Sequence, residues 1–276
     1  MTIVRHSLVA AAFVGCATLS APAFAAMTWG FQQPGVCSQN AGNANNYGNS
    51  WACGGGNPAL TVSGYSSNGA GSTFVSAFTD DNGGSGFGVK SSSEGLNATS
   101  PQHAMDNDGS TDVLLLSFTS SVILRQLQLG WWSTDSDVTL LRYTGSTSPL
   151  ANSDLTGLTT AQLLSNGWSL VGNYGTLDTT MSNVNAGSAS SSWWLLSAYN
   201  STLAGSTASA NGRNLSAGDD YVKVLAVVAD AVTPPPVGRV PEPASLALAG
   251  LALAGVVAAR RRTAGGNAAL PRLAAA

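Results

Sequence analysis

Between residues 26 and 232 the apolar side chains fall on alternate positions in short runs, and glycine, serine, asparagine or aspartate closes each run. Leu60-Thr61-Val62-Ser63-Gly64-Tyr65 alternates, and so does Thr73-Phe74-Val75-Ser76-Ala77-Phe78-Thr79. A period of two sends successive side chains to opposite faces of an extended chain, so such runs are buried efficiently only as parts of a sheet. Asp80-Asp81-Asn82-Gly83-Gly84 reads as a turn, and Phe87-Gly88-Val89 as a brief strand beyond it. Residues 113–118 are apolar almost without interruption, which predicts a central strand covered on both faces. Alternation resumes through Val122, Leu124, Leu127, Leu129 and Trp131, with a slip of phase at Arg125-Gln126 that predicts a β-bulge. Further strands are expected at 138–143, 168–171, 192–198 and 221–228. Helical spacing is scarce: Asp154 offers a cap, 159–164 a short helix ending at Asn166-Gly167, and 200–218 reads as a loop.

About nine short strands joined by polar loops predict an all-β chain, built as a single jelly-roll-like β-sandwich over residues 26–232. Both ends of the chain lie outside that fold. Arg5 and His6 precede an apolar stretch at 8–19, and Ala21-Pro22-Ala23-Phe24-Ala25 follows. This is the pattern of a secretory signal peptide over residues 1–25, with Ala23 and Ala25 as the small residues that signal peptidase requires and Ala26 as the alternative cut. A first transmembrane helix fits less well, because the run is short and ends in a cleavage pattern. Thr233 to Arg239, with three consecutive prolines, reads as a stiff linker flanking a C-terminal single apolar helix.

That C-terminal segment has three parts in order: Val240-Pro241-Glu242-Pro243, an apolar run at 244–259, and Arg260-Arg261-Arg262. The prolines are expected to keep the first part extended. The arginines favour the cytoplasmic side of a membrane. The run is shorter than the roughly 20 residues of a usual span and is diluted by alanine and glycine. Residues 240–262 resemble the PEP-CTERM sorting signal of Gram-negative bacteria. The resemblance implies that Pro241, Glu242 and Pro243 are recognised by an exosortase, with transient membrane insertion through the inner membrane and delivery to the cell surface. An ordinary single-pass anchor is the alternative. The tail at 263–276 departs from that family, whose signals end near the basic cluster.

The body also resembles a family of exosortase-dependent surface proteins. Gly86-Phe87-Gly88-Val89, His103-Ala104-Met105-Asp106-Asn107-Asp108-Gly109, Asp112, residues 114–118, Gly130-Trp131, Asp135-Ser136-Asp137 and Trp194-Leu195 before Tyr199 carry the resemblance, which spans roughly residues 29–230. It implies an exported surface protein and brings no enzymatic activity with it.

Composition narrows the partners. Between residues 26 and 239 six basic residues face thirteen acidic ones, a balance of −7. An acidic body without a basic stripe argues against nucleic acid and anionic lipid. Cys16 leaves with the signal peptide, so Cys37 and Cys53 remain as a pair in an oxidising compartment and are expected to form a disulfide. Closing a loop of that size contributes about 3 kcal/mol on a chain-entropy view. A redox or zinc site fails on spacing and on the want of further ligands.

Four constellations bear on chemistry. Asp106, Asn107, Asp108 and Asp112 place four oxygen donors around Gly109, as a hard cation such as calcium requires, and Asp135 and Asp137 join them if the loops meet. The loop is not an EF-hand, since Thr111 and Ser117 occupy the positions of the central glycine and the final glutamate. The alternative is a solvated turn in which Asp and Asn bond their own backbone. His103, the one histidine beyond the signal peptide, is expected to make a structural hydrogen bond to that acidic loop. Neither a Gly-x-Ser-x-Gly nor a His-Glu-x-x-His motif is present. Glu94, among serines, is expected in solvent, and a glycosidase pair of carboxyls is not identifiable. In Trp131-Trp132 and Trp193-Trp194 one ring of each pair is expected in the core, leaving Trp132 and Trp193 as candidate glycan contacts.

The sequence therefore predicts a non-enzymatic surface or matrix protein linked to exopolysaccharide or biofilm, without a resident cofactor and with calcium as the one candidate ion. A carbohydrate-binding β-sandwich is the alternative, and an extracellular hydrolase the weaker one.

Overall fold

The computed structural model describes residues 26–32, 36–54, 56–67, 69, 71–204, 209–210, 213–216, 218–232 and 242–264. Ala23 and Ala25 of the expected signal peptide, the expected linker at 233–239, Pro241 and the tail from 265 lie outside the described residues. The chain divides into two units, Met1–Val232 and Thr233–Ala276.

In the first unit the strands are β1 (Ala26–Gly30), β2 (Cys37–Gln39), β3 (Ser50–Cys53), β4 (Leu60–Ser66), β5 (Val75–Ser76), β6 (Phe78–Asp81), β7 (Phe87–Lys90) and β8 (Met105–Asp106). They continue with β9 (Asp112–Thr134), β10 (Val138–Tyr143), β11 (Trp168–Tyr174), β12 (Ser182–Asn183), β13 (Ser191–Ala198), β14 (Ser209–Ala210), β15 (Arg213–Asn214) and β16 (Asp220–Ala231). Two four-residue helices, α1 (Thr160–Leu163) and α2 (Ser201–Ala204), interrupt them. β14 and β15 pair only with each other, and the other strands form one 14-stranded sheet whose main path runs β11-β10-β13-β9-β16-β7-β6.

β9 explains how one sheet makes a two-faced core. It is 23 residues long. Its first half pairs with β13 and β4, from Val113 opposite Ser197 and Tyr65 to Phe118 opposite Leu60. Its second half pairs with β16, from Val122 opposite Ala231 to Thr134 opposite Asp220. Exposed Thr119 and Ser120 mark the corner between the halves. The sheet thus curls over on itself, and Leu114, Leu116, Val62 and Trp194 of one half pack in the same core as Leu124, Leu127, Val222 and Val227 of the other. The opposite face of the first half is covered as well: Val113, Leu115, Leu141 and Leu195 pack with Leu155, Leu163 and Leu203 from the loops and short helices. That double cover is why residues 113–118 are apolar on both faces.

Several expectations change form. The sandwich is one curled sheet, and the strands expected at 113–118 and 122–132 are one continuous strand, because the chain stays extended through the serine-rich corner while its partners change from β4 to β16. The slip at Arg125 is a bulge: Gln126 and Leu124 face the consecutive residues Val228 and Ala229, leaving Arg125 extra. Its Nε pairs with Asp230 Oδ2 at 2.8 Å. In α1 the cap is Thr159, which forms a capping box with Gln162. Asp154 instead accepts a hydrogen bond from the Tyr143 hydroxyl.

Cys37 and Cys53 lie opposite each other on β2 and β3 and are joined in a disulfide, with their Cα atoms 4.0 Å apart. Gly88 on β7 permits a close approach: a Cβ there would sit 2.0 Å from the His103 carbonyl oxygen. Gly86, at φ +85°, turns the chain into β7 against the Val224 carbonyl.

The second unit contains α3 (Glu242–Ala264), 23 residues long. Glu242 and Pro243 open this helix, where an extended stretch was expected. Proline is tolerated in a first turn because its missing N–H would have had no intrahelical partner there. Leu248, Leu251, Leu253, Val256 and Val257 are exposed. Among the described residues no helix is long and apolar enough to cross a membrane. Alanine and glycine dilute the run that the sequence suggested as a span.

Candidate functional site

The curl of the sheet brings both ends of β9 to one end of the body. Asp112 opens β9, and Asp135 and Asp137 follow its far end. Asp106 on β8 faces Tyr221 on β16, beside Asp220. The acidic loops therefore meet, but they sort into two groups. Glu94, Asp106 and Asp112 form one, and Asp135, Asp137 and Asp220 the other; within each, one carboxylate oxygen per residue lies within 4.8 Å of its neighbours.

Asn107 stands between the groups as a clamp. Its Nδ2 donates to the Tyr199 carbonyl and to Asp220 Oδ2, both at 2.6 Å, and its Oδ1 accepts from the Asp220 N–H at 3.0 Å. Asp108 belongs to neither group. It is exposed, and its Oδ2 accepts from the Tyr221 hydroxyl at 2.8 Å. The expected set of Asp106, Asn107, Asp108 and Asp112 with Asp135 and Asp137 is thus not one site.

The second group is saturated with hydrogen bonds. Asp137 accepts the N–H of Thr176 at 2.6 Å and of Ser216 at 3.0 Å. Asp220 Oδ1 accepts the Asp137 N–H at 2.7 Å. Asp135 accepts the Ser136 N–H at 2.8 Å and the Ser216 hydroxyl at 2.9 Å. Burial pushes the Asp220 carboxyl up to about 8, against the pull of its donors and with help from Asp137 and Asp135.

The first group is not saturated. Asp106 and Asp112 are fully buried, and Asp106 Oδ2 and both oxygens of Asp112 have no hydrogen-bond partner. Burial, then the charge of Glu94, pushes Asp106 up to about 8. Burial, then the charges of Asp106 and Glu94, pushes Asp112 well above the carboxylate range. The Ser66 hydroxyl and the Asp106 amide restrain that shift without meeting an Asp112 oxygen at hydrogen-bonding geometry. Glu94, expected in solvent, is half-buried at a turn after β7, where its Oε2 accepts the Ser91 N–H at 2.7 Å.

Sequence reasoning misplaces Glu94 in solvent and misses Asp220. Asp220 is visible only as part of an Asp219-Asp220 pair before the last strand, and nothing local says that it turns inward.

His103 does not bond to the acidic loop. Its Nε2 lies 2.8 Å from Lys223 Nζ and its Nδ1 lies 3.6 Å from Asp80 Oδ2. A protonated lysine only donates, so Nε2 accepts and Nδ1 keeps its proton towards Asp80. Burial, then Lys223, lowers the histidine, while burial lowers Lys223 to about 8. Lys223 also lies 4.5 Å from the centre of the Trp131 ring. Chain direction explains the difference: Ala104 and Met105 pass inward between His103 and Asp106, leaving the two side chains in different surroundings.

Alternation separates Trp193 and Trp194 as expected, but the other pair has no core member, since Trp131 is half-buried against Lys223. Trp194 is fully buried, whereas Trp193 is half-buried and meets Tyr143 edge-on at 5.9 Å. Trp193 lines a groove of about 230 Å³ with Arg142, Tyr143, Thr144 and Ser192. Trp132 is 41% exposed beside half-buried Trp131.

In the second unit, Arg260, Arg261 and Arg262 lie towards the end of α3, beyond the apolar run. No curated protein and no solved structure matches the chain. A family model matches over residues 239–262, outside the body. It is that of the PEP-CTERM protein-sorting motif, so this chain carries at residues 239–262 the segment that implies exosortase-dependent sorting to the outside of a Gram-negative cell.

Proposed function

We propose that this chain is a non-enzymatic protein of the cell surface or extracellular matrix, tied to exopolysaccharide or biofilm. It is exported by the Sec route and processed by an exosortase at Pro241-Glu242-Pro243. The sorting motif at 239–262 carries this reading. A disulfide-closed hairpin and an acidic, polar body support it, because both suit an oxidising exterior. Mass spectrometry of the surface-exposed protein tests it. The expected C-terminus lies near Pro243, with the apolar run and arginines gone. A surface form that runs intact to Ala276 overturns the processing step.

A carbohydrate-binding role is the second reading, supported by the groove beside Trp193 and by exposed Trp132. A sugar face stacked on one ring should contribute about 1 kcal/mol, or roughly fivefold in affinity. Pull-down with the producing cell's own polysaccharide should be saturable and weaken about that much in Trp193→Ala or Trp132→Ala. Equal retention of both variants and wild type would remove the reading.

A further inference from the structure

We propose that Glu94, Asp106 and Asp112 form a calcium site that ties the turn after β7 to β8 and to the start of β9. Their carboxylate oxygens converge within 4.8 Å. Convergence of acids alone is common, and the second acidic group shows why it is insufficient: there each carboxylate is met by backbone or side-chain donors. In the first group Asp112 is fully buried, and neither of its oxygens has a hydrogen-bond partner. Asp106, also fully buried, contributes a third unmet oxygen. Buried carboxylate oxygens without donors are costly unless a proton or a cation meets them.

Among the described residues no basic side chain fills that role. The ion pairs among the described residues are Lys90 with Asp80, His103 with Asp80, and Arg125 with Asp230. Three carboxyls without nitrogen or sulfur donors suit a hard cation. Calcium accepts irregular arrangements of six to eight oxygens, mixing one- and two-oxygen carboxylates, whereas magnesium demands a near-octahedral set and keeps most of its water. Glu94 is half-buried on a turn that continues into exposed Leu96, so it offers the entry side, while Asp106 and Asp112 form the floor. The site does not depend on the sorting motif or on the proposed function, and it is tested separately from both.

The experiment uses the exported protein purified in chelator, with calcium or magnesium chloride as the probe. Equilibrium dialysis should find one calcium per chain at this site, with an affinity in the range of about 10⁻⁴ to 10⁻³ M that extracellular calcium modules show. At 10 mM calcium the unfolding constant should then fall about 10- to 100-fold, and the melting temperature should rise accordingly. Glu94→Gln, at the partly exposed edge, should fold and lose most of that shift, and Asp112→Asn should lose it as well. Asp135→Asn in the saturated group should retain it. Equal melting in calcium and chelator overturns the proposal, as does a calcium shift that survives undiminished in Glu94→Gln. A magnesium shift as large as the calcium shift overturns the choice of ion.

Discussion

Trp194→Ala is expected to cost about 3–5 kcal/mol, the range for removing a large aromatic side chain from a core. Trp194 is fully buried on β13, opposite Leu116 of β9 and Arg142 of β10. Its indole fills the main core where the two halves of the curled sheet meet, and its Nε1 donates to the Ser191 carbonyl at 3.0 Å. Backbone ladders on both sides of β13 prevent collapse into the space. Against a typical total of about 5–15 kcal/mol, such a loss leaves little folded protein at 37 °C. Denaturant unfolding measures it directly. Trp132→Ala is the control, because that ring is 41% exposed and its loss should change stability by no more than about 0.5 kcal/mol. Similar midpoints for the two variants would mean that Trp194 is not the core residue described.

The second large effect is on pH. Asp220 is fully buried, and burial pushes its carboxyl up to about 8, whereas an unfolded aspartate ionises near 4. Between those values the folded chain holds a proton that the unfolded chain has released. Stability therefore falls as pH rises from about 4 to about 8, with a slope of up to about 1.4 kcal/mol per pH unit from this one group, and levels off above. Asp137 and Asp135 add their charges to the shift, and the donors from Asp137 and Asn107 oppose it. Asp106 titrates over the same interval, so the measurement is made in chelator to keep cations out of the comparison. Urea midpoints at pH 5, 6, 7 and 8 should decline for the wild type and decline less steeply for Asp220→Asn. A flat profile, or the same slope in both proteins, contradicts the assignment.

Much of the strand layout was legible in the sequence because it is local. Alternation placed the strands at 60–65, 138–143 and 221–228, and an extra residue in the alternation placed the bulge at Arg125. The apolar stretch at 113–118 correctly implied cover on both faces. What alternation does not encode is continuity around a corner, so β9 read as two strands. Local sequence makes the prolines at 241 and 243 a barrier to helix, although Pro243 lies in the first turn of α3, where the missing donor costs nothing.

The candidate site was legible only in part. Asp106 and Asp112 are recognisable as candidate ligands because they crowd one loop. Asn107 and Asp108 share that loop but serve as a clamp and as an acceptor for Tyr221. Glu94 and Asp220, the members that complete the two groups, come from other parts of the chain. His103, three residues from Asp106, pairs instead with Lys223 and Asp80.

The sequence by itself determined the all-β character, the pairing of Cys37 with Cys53 and the sorting segment at the C-terminus. Each of these rests on a local period, a lone pair of residues or a linear motif. Only the tertiary structure decided which carboxyls meet and which of them find donors. That outcome depends on a long strand doubling back and carrying residues 112 and 135 to the same end, and local patterning fixes the face a side chain takes without fixing the distant partner it finds there.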